Sequence, residues 1–89
     1  RDAARRQTDT RDAGLRQRYE ELTPREKEVM AYVVRGLLNK QIAAELTLSE
    51  ITIKIHRAQA MKKMGARSLA DFVLKAEALG IIDSAQNGA

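Results

Sequence analysis

The sequence predicts an all-α domain built from four short helices. Apolar residues recur at helical spacing in two segments, first Val29, Met30, Val33, Val34 and Leu37, then Leu69, Phe72, Val73, Ala76 and Leu79. Residues that start and stop helices divide the chain: Thr23-Pro24, Asn39, Ser49 and Ser68 open segments, and Gly36, Gly65 and Gly80 close them. Outside the short run Ile51-Thr52-Ile53-Lys54-Ile55, no segment alternates apolar and polar residues as a half-buried strand would. The 89 residues make one domain. A domain near this size buries only roughly 60% of its unfolded surface, so its core is thin.

Residues 1–21 read as an interdomain linker. They are polar, alternately charged and able to form a solvent-exposed helix, with only Leu15 and Tyr19 sharing an apolar face. The domain proper is expected over 22–82. Thr23 is the N-cap of its first helix, Pro24 takes the first helical position, and Glu26 completes a capping box. Gly36 ends that helix. Asn39 is expected to cap a two-turn second helix reaching Leu46. Ser49, with Glu50 in the first turn, starts a third that runs to Met64. Ser68 and Asp71 start the fourth, and its apolar residues face inward until Gly80. Residues 83–89 are expected to form a loose C-terminal tail.

Composition excludes several functions. There is no Cys, so disulfide frameworks and cysteine-ligated zinc are not available. A single His, His56, cannot build a metal site with the ligands on offer, and no metal or cofactor is expected. No stretch is apolar for the ~20 residues a bilayer span needs, and no signal-peptide core is present. A cytoplasmic location without a membrane partner follows as the expectation. The chain opens on Arg1 rather than Met, which suggests a piece of a longer protein. Its net charge of +4 is modest, but the distribution is uneven. Between Glu50 and Asp71 lie Lys54, Arg57, Lys62, Lys63 and Arg67 and no acid at all. Such a stretch is either a solvated helix face or a field that attracts polyanions.

Residues 39–58 decide between these. Numbered from Asn39, they resemble the twenty-residue helix-turn-helix pattern that places one helix in the major groove of DNA. Ala43 is small where the two helices must approach closely, and Ile42, Leu46, Leu48 and Ile53 are apolar where they pack together. Thr47 departs from the pattern, standing in the turn where glycine is common, so it either accepts a left-handed backbone or takes another turn geometry. Around the third helix, Ile53, Ala60 and Met64 cluster on one side, flanked by His56 and Arg57. Opposite them lie Ile51, Lys54, Ile55, Ala58, Gln59 and Lys62, a face suited to a groove offering hydrogen-bond acceptors and thymine methyl groups, or else to another protein helix.

Candidate base contacts are therefore Lys54, toward guanine O6 and N7, and Ile55 and Ala58, toward a thymine methyl. Candidate phosphate contacts are Asn39 and Lys40 at a helix N-terminus, Thr52 with its hydroxyl, Arg57, and Lys62 near the helix end. Asn39 and Ser49 also fit pure capping roles. His56 reads as a packed, hydrogen-bonded residue or a phosphate contact. It has no partnered acid, nucleophile or metal, and no Gly-rich phosphate loop or nucleophile elbow exists, so no catalytic residue is assigned and the chain is not read as an enzyme.

From Leu22 to about Gly80 the segments LTPREKEVM, GLLNKQIAAEL and SEITIKIHRAQAMKKMGARSLAD resemble the LuxR/FixJ-type effector domain at the C-terminus of bacterial transcription regulators. The opening Thr-Pro-x-Glu, Asn39-Lys40, Ile42-Ala43, Thr52, His56, Lys63 and Ser68-Leu69 fall at family spacing. HRAQAMKKMGARSL is most similar to the FixJ branch of two-component response regulators. The resemblance implies a four-helix domain that binds double-stranded DNA as a weak homodimer on an inverted repeat. It implies base contacts at Lys54, Ile55 and Ala58 and phosphate contacts at Asn39, Lys40, Thr52 and Lys62. The last helix would pair the two copies through Leu69, Val73, Ala76 and Glu77. Ala58 departs from members with a long polar side chain there, which implies a different recognised sequence. A receiver domain, absent from this chain, would precede the linker, and RNA polymerase is a further candidate partner. The competing reading is a helical protein-interaction module that docks on polymerase or another regulator.

Overall fold

The computed structural model describes residues 14–81, which form five helices and no strand. The linker reading of residues 1–13 and the tail reading of 83–89 lie outside the described residues. The helices are α1 (14–20), α2 (Pro24–Val34), α3 (Asn39–Leu46), α4 (Glu50–Met64) and α5 (Leu69–Ala78). α2 and α4 form the centre of the domain, with α3 packed across both and α5 closing the far side. The core consists of Leu22, Val29, Met30, Val33, Ile42, Ala43, Ile53, Ala60, Met64, Phe72 and Ala76. It takes one stripe from each of α2 to α5, as amphipathic helices in a thin-cored domain must arrange themselves.

The capping box at α2 is formed in both directions. The Glu26 backbone N–H donates to Thr23 Oγ1 at 3.1 Å, and the Thr23 N–H donates to Glu26 Oε1 at 3.0 Å. Glu26 is also buried, and the same carboxylate oxygen accepts from Lys63 Nζ of α4 at 2.7 Å. Burial pushes the Glu26 carboxyl up. The Lys63 hydrogen bond, the Thr23 N–H and the positive charges of Lys63 and His56 outweigh it and hold the group below its ordinary 4.5. Gly36 takes a left-handed conformation (φ 95°) just past Arg35, the residue that ends α2.

Two local expectations change. Asn39 does not cap α3: Leu38 holds the N-cap position, and the Leu38 N–H donates to Gln41 Oε1 at 2.8 Å. Asn39 is already helical and its side chain is used elsewhere. Residues 14–20 are also more than a solvated linker, because Leu15 and Tyr19 pack against the core. Lys27 holds this helix from α2, pairing with Glu20 at 3.4 Å and lying 5.0 Å over the Tyr19 ring. Next to Tyr19, Arg18 Nη1 donates to the Lys63 carbonyl at 3.3 Å, over the last turn of α4.

The turn between α3 and α4 is left-handed at Thr47 (φ 57°, ψ 48°), which resolves the open choice at that residue. A β-branched residue there costs of order 1–2 kcal/mol. Thr47→Gly should therefore raise stability by about 1 kcal/mol, after allowing for the greater freedom of the unfolded glycine chain. Urea unfolding followed by circular dichroism would show it, and a lowered midpoint would contradict the strain. Glu26→Gln keeps the cap acceptor but loses the ion pair, and should cost about 1 kcal/mol at neutral pH because Lys63 is partly solvated. The pair's contribution is complete above pH 4.5 and disappears as the pH falls through the lower folded-state value. The urea midpoint of the unmodified protein should then approach that of Glu26→Gln in acid, and a constant gap between the two would exclude the linkage.

Candidate nucleic-acid interface

α4 begins where Ser49 caps it, with Ser49 Oγ accepting from the Thr52 N–H at 3.1 Å. It ends at Gly65 (φ 72°), whose N–H donates to the Lys62 carbonyl while the Ala66 N–H reaches that of Met61. Between these ends, Ile53, Ala60 and Met64 are fully buried. Ile51, Lys54, Ile55, Ala58, Gln59 and Lys62 are all exposed, Ile51 at 70% and Ile55 at 56%. The outward stripe read from residue spacing is therefore a real surface. It combines two branched apolar side chains with two ammonium groups and an amide, which can meet methyl groups and acceptors together.

The candidate phosphate residues surround this face from two helix starts and one helix end. Lys40 is exposed in the first turn of α3. No side chain caps that helix, and its first backbone bond runs from the Ile42 N–H to the Leu38 carbonyl, so the amides of residues 39–41 stand outside the ladder. Free amides at a helix start favour an anion. Ser49 Oγ and Thr52 Oγ1 lie 2.9 Å apart, and one hydroxyl donates to the other. The second hydroxyl hydrogen of the pair remains for an outside acceptor. Lys62 is exposed in the last turn of α4, where a cation also suits the helix dipole. Asn39 and Arg57, both half-buried, contact each other: Arg57 Nη1 donates to Asn39 Oδ1 at 3.1 Å.

His56 is half-buried on α4, and its imidazolium form would lower the Glu26 carboxyl. No cluster of potential metal ligands and no membrane-length apolar helix occurs among the described residues. On α5, Leu69 and Glu77 are exposed and Val73 is half-buried. Ala76 is a correction. It has 0% exposure, packed in the core, so a second copy could not reach it without opening the domain. Leu69, expected to face inward, is instead exposed. Leu74, at 61% exposure, is the large apolar residue on the outer side of α5 that sequence spacing missed. Leu38, 67% exposed beside Asn39, was also missed; an apolar residue between a glycine-ended helix and a polar helix start is the only sequence signal for it.

Comparison with known proteins agrees with this geometry. Residues 20–76 match the family of bacterial regulatory proteins, luxR family. The chain is 54% identical to nodulation protein W of Bradyrhizobium diazoefficiens over 81 residues, covering 91% of this chain and 36% of that protein. It is 44% identical to the transcriptional regulatory protein FixJ of Rhizobium meliloti over 75 residues, covering 83% of this chain and 37% of that one. The solved structure of the response regulator StyR superposes with a TM-score of 0.79 at 45% identity, over 84% of this chain and 38% of that chain. The chain thus spans little more than a third of the length of each of these relatives. It belongs to the luxR family of bacterial regulatory proteins, as a non-enzymatic helix-turn-helix DNA-binding domain related to response regulators that control transcription.

Proposed function

We propose that this domain is the effector part of a cytoplasmic response regulator, binding double-stranded DNA sequence-specifically with α4 in the major groove. The observation that carries the reading is the division of α4 into a fully buried stripe and an exposed stripe of Ile51, Lys54, Ile55, Ala58, Gln59 and Lys62. Lys54, Ile55 and Ala58 are assigned to base edges, and Asn39, Lys40, Thr52 and Lys62 to phosphates. The uncapped start of α3 and the spare hydroxyl of the Ser49–Thr52 pair support the phosphate assignments.

Two copies pair on an inverted repeat through the outer side of α5, with Leu69, Leu74 and Glu77 at the contact and Val73 at its edge. The exposure of the two leucines supports this, and so small a surface suits pairing on DNA rather than in free solution. A receiver domain and RNA polymerase are the partners this reading gives to the longer protein.

Selection of bound sequences from a random duplex pool tests the whole reading. A palindromic consensus bound far more tightly than random DNA is the expected result, and the absence of binding at low salt would overturn it. Lys54→Ala should cost about 1–3 kcal/mol at one base position of that consensus and relax the preference there. Equal weakening on every sequence would remove Lys54 from the base contacts. Lys62→Ala should weaken binding to all sequences and reduce the slope of log K against log salt by about 0.9. An unchanged slope would remove Lys62 from the phosphate contacts.

A further inference from the structure

Arg57 lies one turn after Ile53, on the stripe of α4 that carries Ile53, Ala60 and Met64, each with 0% exposure. A guanidinium on that stripe has to find an acceptor, because an arginine held half out of water keeps its charge. It finds one in Asn39 Oδ1, at 3.1 Å and 18 positions away in the chain. The bond joins the middle of α4 to the first residue of α3. We propose that Arg57 is a positioning residue for DNA binding, acting through Asn39 and not as a phosphate contact in its own right.

The argument follows from the chemistry of a carboxamide. Asn39 has one acceptor edge and one donor edge, and either could face outward if nothing chose between them. A charge-assisted bond from Arg57 to Oδ1 makes the choice. The oxygen turns toward α4, and the two Nδ2 hydrogens occupy the opposite edge. Only a donor edge is useful to a phosphate, and Asn39 opens the same helix start that carries the unladdered amides of residues 39–41 and the exposed Lys40. Without Arg57 the amide can turn over and present its oxygen to the phosphate, replacing attraction with repulsion. Arg57 also fixes where that edge lies relative to α4, so one bond sets both the identity and the place of the donor.

This inference rests on Asn39 facing a phosphate, and the test separates the two. Affinity for a short duplex of random sequence is measured for the unmodified protein, Asn39→Ala, Arg57→Ala and the double variant, with unfolding midpoints to confirm that each is folded. Arg57→Ala should weaken binding about tenfold when Asn39 is present, equivalent to one charge-assisted bond. In the Asn39→Ala background the same substitution removes only a distant positive charge and should cost about twofold or less. Equal factors in both backgrounds would overturn the positioning role and return Arg57 to the phosphates. Asn39→Asp offers a second arm that keeps the acceptor for Arg57, so the fold and the midpoint are retained. Its donor edge becomes a carboxylate, and binding should fall at least as far as in Asn39→Ala. If neither Asn39 variant weakens binding, the phosphate reading of Asn39 is itself wrong and the inference falls with it.

Discussion

One buried carboxylate holds the domain in shape. Glu26 closes the first turn of α2, accepts the ammonium of Lys63 from the last turn of α4, and has almost no contact with solvent. A charge so placed is tolerable only when it is paired, and here Oε1 accepts both the Thr23 N–H and the Lys63 ammonium. Lys63 extends the junction: its Nζ also reaches the Glu21 carbonyl at 3.5 Å, and its own carbonyl accepts from Arg18 of α1. Three helices therefore meet at one residue pair on the inner side of α4. The opposite side of the same helix is left without work inside the domain, and that separation is what makes it available to a ligand.

Where a feature depended on neighbours in the chain, the sequence revealed it. The capping box at Thr23 and Glu26, the Ser49 cap, the Gly65 stop and the two faces of α4 all follow from residues three or four apart, and the structure has them as expected. Features that depend on distant partners were hidden. Asn39 looks like a helix cap until Arg57 is brought beside it from 18 residues away. Leu15 and Tyr19 look like isolated apolar residues in a linker until Lys27 and the core provide a surface for them. On α5 the spacing placed Phe72 and Ala76 inward, where they are; it also turned Leu69 inward and overlooked Leu74, and only the pairing role implied by the family resemblance put Ala76 at a contact. The roles in DNA binding are a different matter, since exposure establishes access but not what is touched.

The start of α3 and the turn before α4 share a physical character. Leu38 brings no capping side chain, and Thr47 sits in a backbone region that suits glycine. Both choices forgo stability in a domain with little to spare. The first leaves backbone amides of residues 39–41 outside the ladder, and the second lies two residues before the Ser49 cap of α4. Local rules are most often broken where a surface has to serve something outside the fold.

The two-sidedness of α4 also bears on how such a domain can diversify. Ile51, Lys54, Ile55 and Ala58 enter none of the side-chain bonds formed among the described residues, and all are exposed. Exchanging any of them leaves the packing of Ile53, Ala60 and Met64 untouched. Mutational drift on the outer stripe is thus nearly free of folding constraint, while the inner stripe is held by α2, α3 and α5 together. Single substitutions there can change what this surface offers a ligand, without first rebuilding the protein that carries it.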